Sequence, residues 1–240
     1  MPDAPSPFST SVFPIDVPRL ATHANEVTCI LVGRRGAVSV ESGGRRITGD
    51  VLLVQSGVAH AVRCAEGGAK VLFLDGLAWS AGNGLAERLD GTMAQAAMGA
   101  IARNHDAQAE LRARIAHGSP VWSGACAKAM AAVLRDLATN PMERMTQTDL
   151  AGRLGLERTR ALRAFKTYTG QTFRGFKRWT GLQVAARKMV LGESVGAAAL
   201  DAGFADTAHL SRTFRHLFGL TPSEAVAGLA RAARYEVPGA

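Results

Sequence analysis

Two clusters near the carboxyl end combine residue types that read a polyanion with the spacing that lets them act together. Thr159, Arg163 and Lys166 stand three to four residues apart, with Leu162 beside them, so on a helix they share one face. His209, Arg212 and Arg215 or His216 form a matching face further along. A guanidinium projecting into a major groove bonds guanine through two parallel hydrogen bonds, and cations near helix ends neutralise phosphates. Arg158 and Thr207, which open the two helices, join the candidate set. The chemistry these groups offer is recognition of double-stranded DNA.

The elements that must position them are short helices, and the sequence repeats them. Ala151, Gly155 and Leu156 recur 48 residues later as Ala199, Gly203 and Phe204. Arg163, Phe165, Lys166 and Gly170 recur 49 residues later as Arg212, Phe214, Arg215 and Gly219. Each copy is a short helix, a glycine turn and a longer helix carrying Arg-x-aromatic-basic, which is the layout of a helix-turn-helix. Thr148-Asp149 is expected to cap a helix through Leu154, and a second runs from about Arg158 to Tyr168. A long helix over about Thr172–Leu191 joins the copies. Ser194 caps a helix through Asp201, Thr207–Phe218 forms the next, and Thr221-Pro222-Ser223 opens a last one.

The chain has 240 residues and a net charge of +8. Residues 1–140 carry 13 Lys and Arg against 12 Asp and Glu, whereas residues 141–240 carry 15 against 8. A basic segment thus follows a neutral one, as in a polyanion-binding module joined to a part with a different job. Three cysteines, Cys29, Cys64 and Cys126, are odd in number and lack a CxxC pair, so they read as reduced, buried small residues and the chain as cytoplasmic. Met1–Pro7 reads as a disordered leader rather than a secretory signal, and no apolar run is long enough for a membrane span.

From Val27 to Leu74 short β-type runs alternate with turns, as in a small antiparallel barrel or sandwich. The runs are Val27–Val32, Ala37–Glu41, Arg45–Ile47, Val51–Gln55, Ala59–Cys64 and Lys70–Leu74. Alanine-rich segments Leu85–Met98, Ala107–Ala116 and Ser123–Ala138 then take helical spacing. The fold class is therefore α+β. A sensor barrel over about 10–80 precedes a helical linker or dimerisation segment over 81–138 and an all-α DNA-binding domain over 141–230.

Against this frame, the C-terminal third resembles the AraC/XylS family of bacterial transcription regulators over about Gln147–Ala227. The most specific stretch runs from Ala202 to Pro222 and includes Gly203-Phe204, His209-Leu210, Arg212, Phe214-Arg215 and Gly219-Leu220-Thr221-Pro222. The resemblance implies that Thr159, Leu162 and Arg163, and Ala208, His209 and Arg212, read bases. Three positions depart from the family pattern: Glu157 at a cap that is often Ser, Gly181 where an Arg is common, and the apolar Leu162. The segment Gly49–His60 resembles the cupin-like barrel that senses a ligand in such proteins, with Gln55 in place of the usual Pro.

A small-molecule effector and a homodimer are expected partners, alongside duplex DNA; a membrane is not. His23 and His60 are the barrel's candidate ligand or metal residues, as a cross-strand pair. His60 and Cys64 on one strand lie about 13 Å apart and cannot share an ion. Without a third ligand no metal is expected, nor any cofactor, and no nucleophilic or phosphate-loop pattern suggests an enzyme. The alternative is a cupin metal-binding protein or enzyme with a DNA-binding tail.

Overall fold

The computed structural model describes residues 10–74, 86–102, 111, 124–139 and 145–235. The leader Met1–Pro7 lies outside them, as does the helix expected at Ala107–Ala116 except for Leu111, which is helical and buried.

Among the described residues, nine antiparallel strands form two sheets: β1 (Thr10–Ile15), β2 (Arg19–His23), β3 (Thr28–Gly33), β4 (Val38–Ser42), β5 (Arg45–Gly49), β6 (Val51–Val54), β7 (His60–Cys64), β8 (Ala69–Leu74) and β9 (Ala86–Arg88). One sheet has the order β1-β8-β3-β6-β9 and the other β2-β7-β4-β5. The first is apolar on both faces because both are covered. Cys29, Leu31, Leu52, Val54, Val71 and Phe73 point into the space between the sheets. Their neighbours Ile30, Val51, Leu53, Leu72 and Leu74 lie under helix α1 (Gly91–Ile101), against Ala96, Ala97 and Ala100. The second sheet wets its outer face, where Ser39 and Thr48 share a 2.8 Å hydrogen bond. Gly43 and Gly44, both at positive φ, close its β4–β5 hairpin.

The segment expected to be helical from Leu85 behaves differently. Ala86–Arg88 pairs with β6, Arg88 also donates to the Thr48 carbonyl oxygen, and the helix starts only at Gly91. Sheet completion outweighs the helical propensity of these residues. Cys64 and Cys126 are only partly covered, whereas Cys29 is buried.

Helix α2 (Gly124–Thr139) directs Met130, Val133, Leu134 and Leu137 into one core with α3 (Gln147–Leu154), α4 (Arg158–Thr169) and the start of α5 (Phe173–Val190). The end of α5 forms a second core with α6 (Val195–Asp201), α7 (Thr207–Phe218) and α8 (Pro222–Tyr235). Trp179, midway along α5, is buried in the barrel's own core, edge-on to Phe73 at 4.9 Å between centroids. Glu26, which precedes β3, pairs with Arg178, and its carbonyl oxygen accepts from Gln171 Nε2 at 2.9 Å. Barrel and helices therefore share a core.

Candidate nucleic-acid interface

The internal repeat is also a repeat of hydrogen bonds. At the end of α3, Gly155 N donates to Gly152 O and Leu156 N to Ala151 O. At the end of α6, Gly203 N donates to Leu200 O and Phe204 N to Ala199 O. Both are the paired bonds that close a helix around a left-handed glycine, with φ of 63° and 80°. Helices α4 and α7 both end on a single bond to another such glycine, Gly170 N to Lys166 O and Gly219 N to Arg215 O. Helix, turn and helix therefore have one geometry in both copies.

Each reading helix is capped by a carboxylate, which suits the positive end of a helix. Glu157 accepts from Thr159 N at 2.8 Å and Arg160 N at 3.2 Å, and these bonds hold its pKa below the usual carboxylate range. Asp206 accepts from His209 N at 2.6 Å. For α3 the cap is Thr146 rather than Thr148: Thr146 Oγ1 accepts from Asp149 N while Asp149 accepts from Thr146 N. The reading of Thr148-Asp149 as the cap is thus corrected by two residues.

Inward, α4 buries Ala161 and Phe165, and α7 buries Leu210, Phe214 and Leu217. Outward, Arg158, Thr159, Arg163 and Lys166 on α4 are exposed, as are Thr207, Ala208, His209, Arg212 and Arg215 on α7. Among the described residues, Arg163, Lys166 and Arg212 form no ion pair, so both faces keep their charge for a partner. Leu162 is half-buried against the first helical core, with less surface to offer a base. The ring of His209 stands edge-on to Phe204 at 5.2 Å, which fixes its place at the start of α7. Arg160 is exposed and stands 49 residues before His209, the offset of the repeat, yet the sequence reading passed over it. Applying that offset to every position of α7 finds it.

The departure at Gly181 has a structural cause. A Cβ there would lie 2.9 Å from the Ala202 carbonyl oxygen, so glycine lets α6 approach α5. Lys166 is exposed in the last turn of α4. Lys166→Ala is expected to weaken binding to all duplexes alike and to lower the slope of log K against log salt by about one, measured by titration at several salt concentrations.

Behind the reading helices lies a cavity of about 80 Å³ between the barrel and α5, α7 and α8. His23 and His60 line its barrel side, opposite each other on β2 and β7 with ring centroids 4.3 Å apart. Among the described residues, no group of three His, Cys, Asp or Glu is placed to hold a metal ion. The free edge of β2 meets the end of α7: Ala24 N donates to His216 O and Ala21 N to Gly219 O. Carbonyls that a helix end leaves open are thus satisfied by a strand edge.

Burial, the neighbouring His60 on β7 and His216 on α7 push the His23 imidazole down to about 4, against its bond to the Ala21 carbonyl. Burial also lowers His60. Asp16 and Glu224 line the same cavity. An unfolded histidine takes up a proton below about pH 6.5, and folded His23 does so only near 4, so stability must fall as pH drops through that window. The loss from His23 is about 3 kcal/mol. Urea midpoints measured between pH 7.5 and 4.5 should show it, with a shallower fall in His23→Phe.

Residues 150–227 match the model of the family described as "Helix-turn-helix domain". No curated protein sequence matches the chain. Among solved structures, ToxT from Vibrio cholerae O395 superposes with a TM-score of 0.59 at 11% identity, over 92% of this chain and 98% of that one. ToxT from strain SCE256 with a bound unsaturated fatty acid gives 0.55 at 12% identity, over 93% and 96%. These likenesses extend the shared fold over both halves, and no described helix is long and apolar enough to cross a membrane. Residues 150–227 are a helix-turn-helix domain of the AraC type, and the chain that carries it is a DNA-binding transcription regulator.

Proposed function

We propose that the chain is a one-component, cytoplasmic, non-enzymatic regulator. In this reading α4 and α7 enter successive major-groove segments of one duplex, and a small apolar effector in the cavity behind α7 alters how α7 presents its face. Arg158, Thr159, Arg160, Arg163, Ala208, His209 and Arg212 lie on the base side, with Lys166, Thr207 and Arg215 on phosphates. Units of about 10–80, 81–138 and 141–230 then serve sensing, relay and DNA binding.

The observation that carries the reading is the junction of cavity and reading helix. Phe218, the last residue of α7, lines the cavity, while His216 and Gly219 are bonded to β2. At about 80 Å³ the cavity is smaller than the engineered cavity of about 150 Å³ that takes benzene. A larger molecule enters only if barrel and helices shift apart, and such a molecule favours the shifted state over the closed one. A related fold, ToxT, has been solved with a fatty acid bound, which supports an apolar ligand class. Self-association through the apolar helices has less support: α1 lies on the sheet and α2 in the first helical core.

Selection from a random duplex pool should enrich one sequence. Ala186→Phe, which fills the cavity from α5, should then change affinity for that duplex about fivefold or more in the absence of any ligand. Unchanged affinity would uncouple the cavity from DNA binding.

A further inference from the structure

The polar end of the cavity has an unusual composition. His23 Nδ1 is 2.8 Å from the Ala21 carbonyl oxygen and His60 Nδ1 is 2.7 Å from the Val58 carbonyl oxygen. A carbonyl oxygen only accepts, so each ring must carry its proton on Nδ1, leaving Nε2 as a bare lone pair. Among the described residues neither Nε2 has a hydrogen-bond partner. Beside them Asn25 donates its amide N–H to Cys29 Sγ at 3.2 Å, and its Oδ1 is buried without a partner. Asn25, His23 and His60 are 3%, 4% and 1% exposed.

Two bare ring nitrogens and an unpartnered amide oxygen therefore stand together at one end of an otherwise mostly apolar cavity, and the donors of the same three side chains are already engaged. The charged residues along its wall are the carboxylates of Asp16 and Glu224, with no Lys or Arg. Glu224 is turned onto Thr221, accepting from its N and Oγ1 at 2.6 and 2.8 Å. A carboxylate ligand brings only acceptors and a negative charge, and would bury both against lone pairs. A hydroxyl satisfies one of the orphaned acceptors, and a primary amide two, while the tail fills the apolar part.

We infer that the effector is an uncharged amphiphile, a long-chain or ring-bearing alcohol or primary amide, whose O–H donates to one, or whose two N–H groups donate to two, of the acceptors on His23, His60 and Asn25. This rests on the reading of the cavity as an effector site. It sets the chain apart in ligand chemistry from the fatty-acid-bound neighbour of the same fold.

The test is calorimetric titration of the full chain at pH 7.5 with octanol, octanamide and octanoate, which share a tail and differ at the head. Octanol and octanamide should bind at least about tenfold more tightly than octanoate, as expected for one buried hydrogen bond to a charged or unpaired group. Asn25→Leu and, separately, His23→Phe should each reduce that preference, which keeps the test decisive if one variant fails to fold. Octanoate binding as well as octanol would overturn the inference while leaving the cavity an effector site. Binding of none of the three, together with no effect of Ala186→Phe on DNA affinity, would remove the effector site itself. Stoichiometric zinc held by the histidine pair would also overturn the inference, because the Nε2 lone pairs would then serve a metal.

Discussion

The double substitution Arg163→Ala with Arg212→Ala is expected to abolish sequence preference and leave weak, salt-sensitive attachment. Each arginine is exposed at the same position of its helix, outside any ion pair among the described residues. A bidentate arginine on guanine contributes about 1–3 kcal/mol of discrimination, so losing both removes about 2–6 kcal/mol if the two sites are independent. They sit in separate helical units with separate cores, which favours additivity. Competition binding against the selected duplex and scrambled duplex measures this directly. Each single variant should relax preference in one half of the site only. If Arg212→Ala left affinity for the selected duplex untouched, α7 would not be a reading helix.

The second large effect is structural. Trp179→Ala is expected to destabilise the chain by about 3–5 kcal/mol, the range for a large buried aromatic truncated to alanine. Its ring is 1% exposed and is surrounded by Phe73 from the barrel and Phe218 from α7, at 4.9 and 5.7 Å between centroids. The cavity it leaves lies between the two halves, so barrel and helices should lose their common transition as well as stability. Denaturant unfolding followed by fluorescence and by far-ultraviolet dichroism would show the two signals separating. A cost below about 1 kcal/mol would mean that the halves hold together without this residue.

What could be read from the sequence follows the range of the interactions involved. The helical third was legible because its signals are local. Left-handed glycines 155, 170, 203 and 219 fall where helices end, carboxylate or hydroxyl caps fall where they begin, and the repeat fixes the register of both copies. Thr146 escaped because Thr148-Asp149 offers a nearby alternative; only the reciprocal bonds of Thr146 and Asp149 decide between them. Strands β1 and β2 escaped for a different reason. Pro14 breaks the pattern of β1 and is tolerated because β1 is an edge strand, while β2 finds its partner β7 about forty residues away. Leu85–Arg88 looked helical by propensity, and Asp90-Gly91 was the turn signal that marked the true start of α1.

The candidate site divides along the same line. The outward residues of α4 and α7 follow from helical spacing. The cross-strand His23–His60 pair was foreseen as a geometry, but its role as an acceptor pair was not. That role depends on the Ala21 and Val58 carbonyls fixing each tautomer, on the orphaned Asn25 oxygen, and on helices from the other end of the chain closing the cavity. None of these contacts is written in local sequence.

Methylation interference on the selected duplex, with the full chain bound, tests the central claim most directly. Methyl groups on guanine N7 block the major-groove edge that an arginine reads. Two clusters of interference about 10 base pairs apart are predicted, one lost in Arg163→Ala and the other in Arg212→Ala. A single cluster, or interference unaffected by either substitution, would contradict the account.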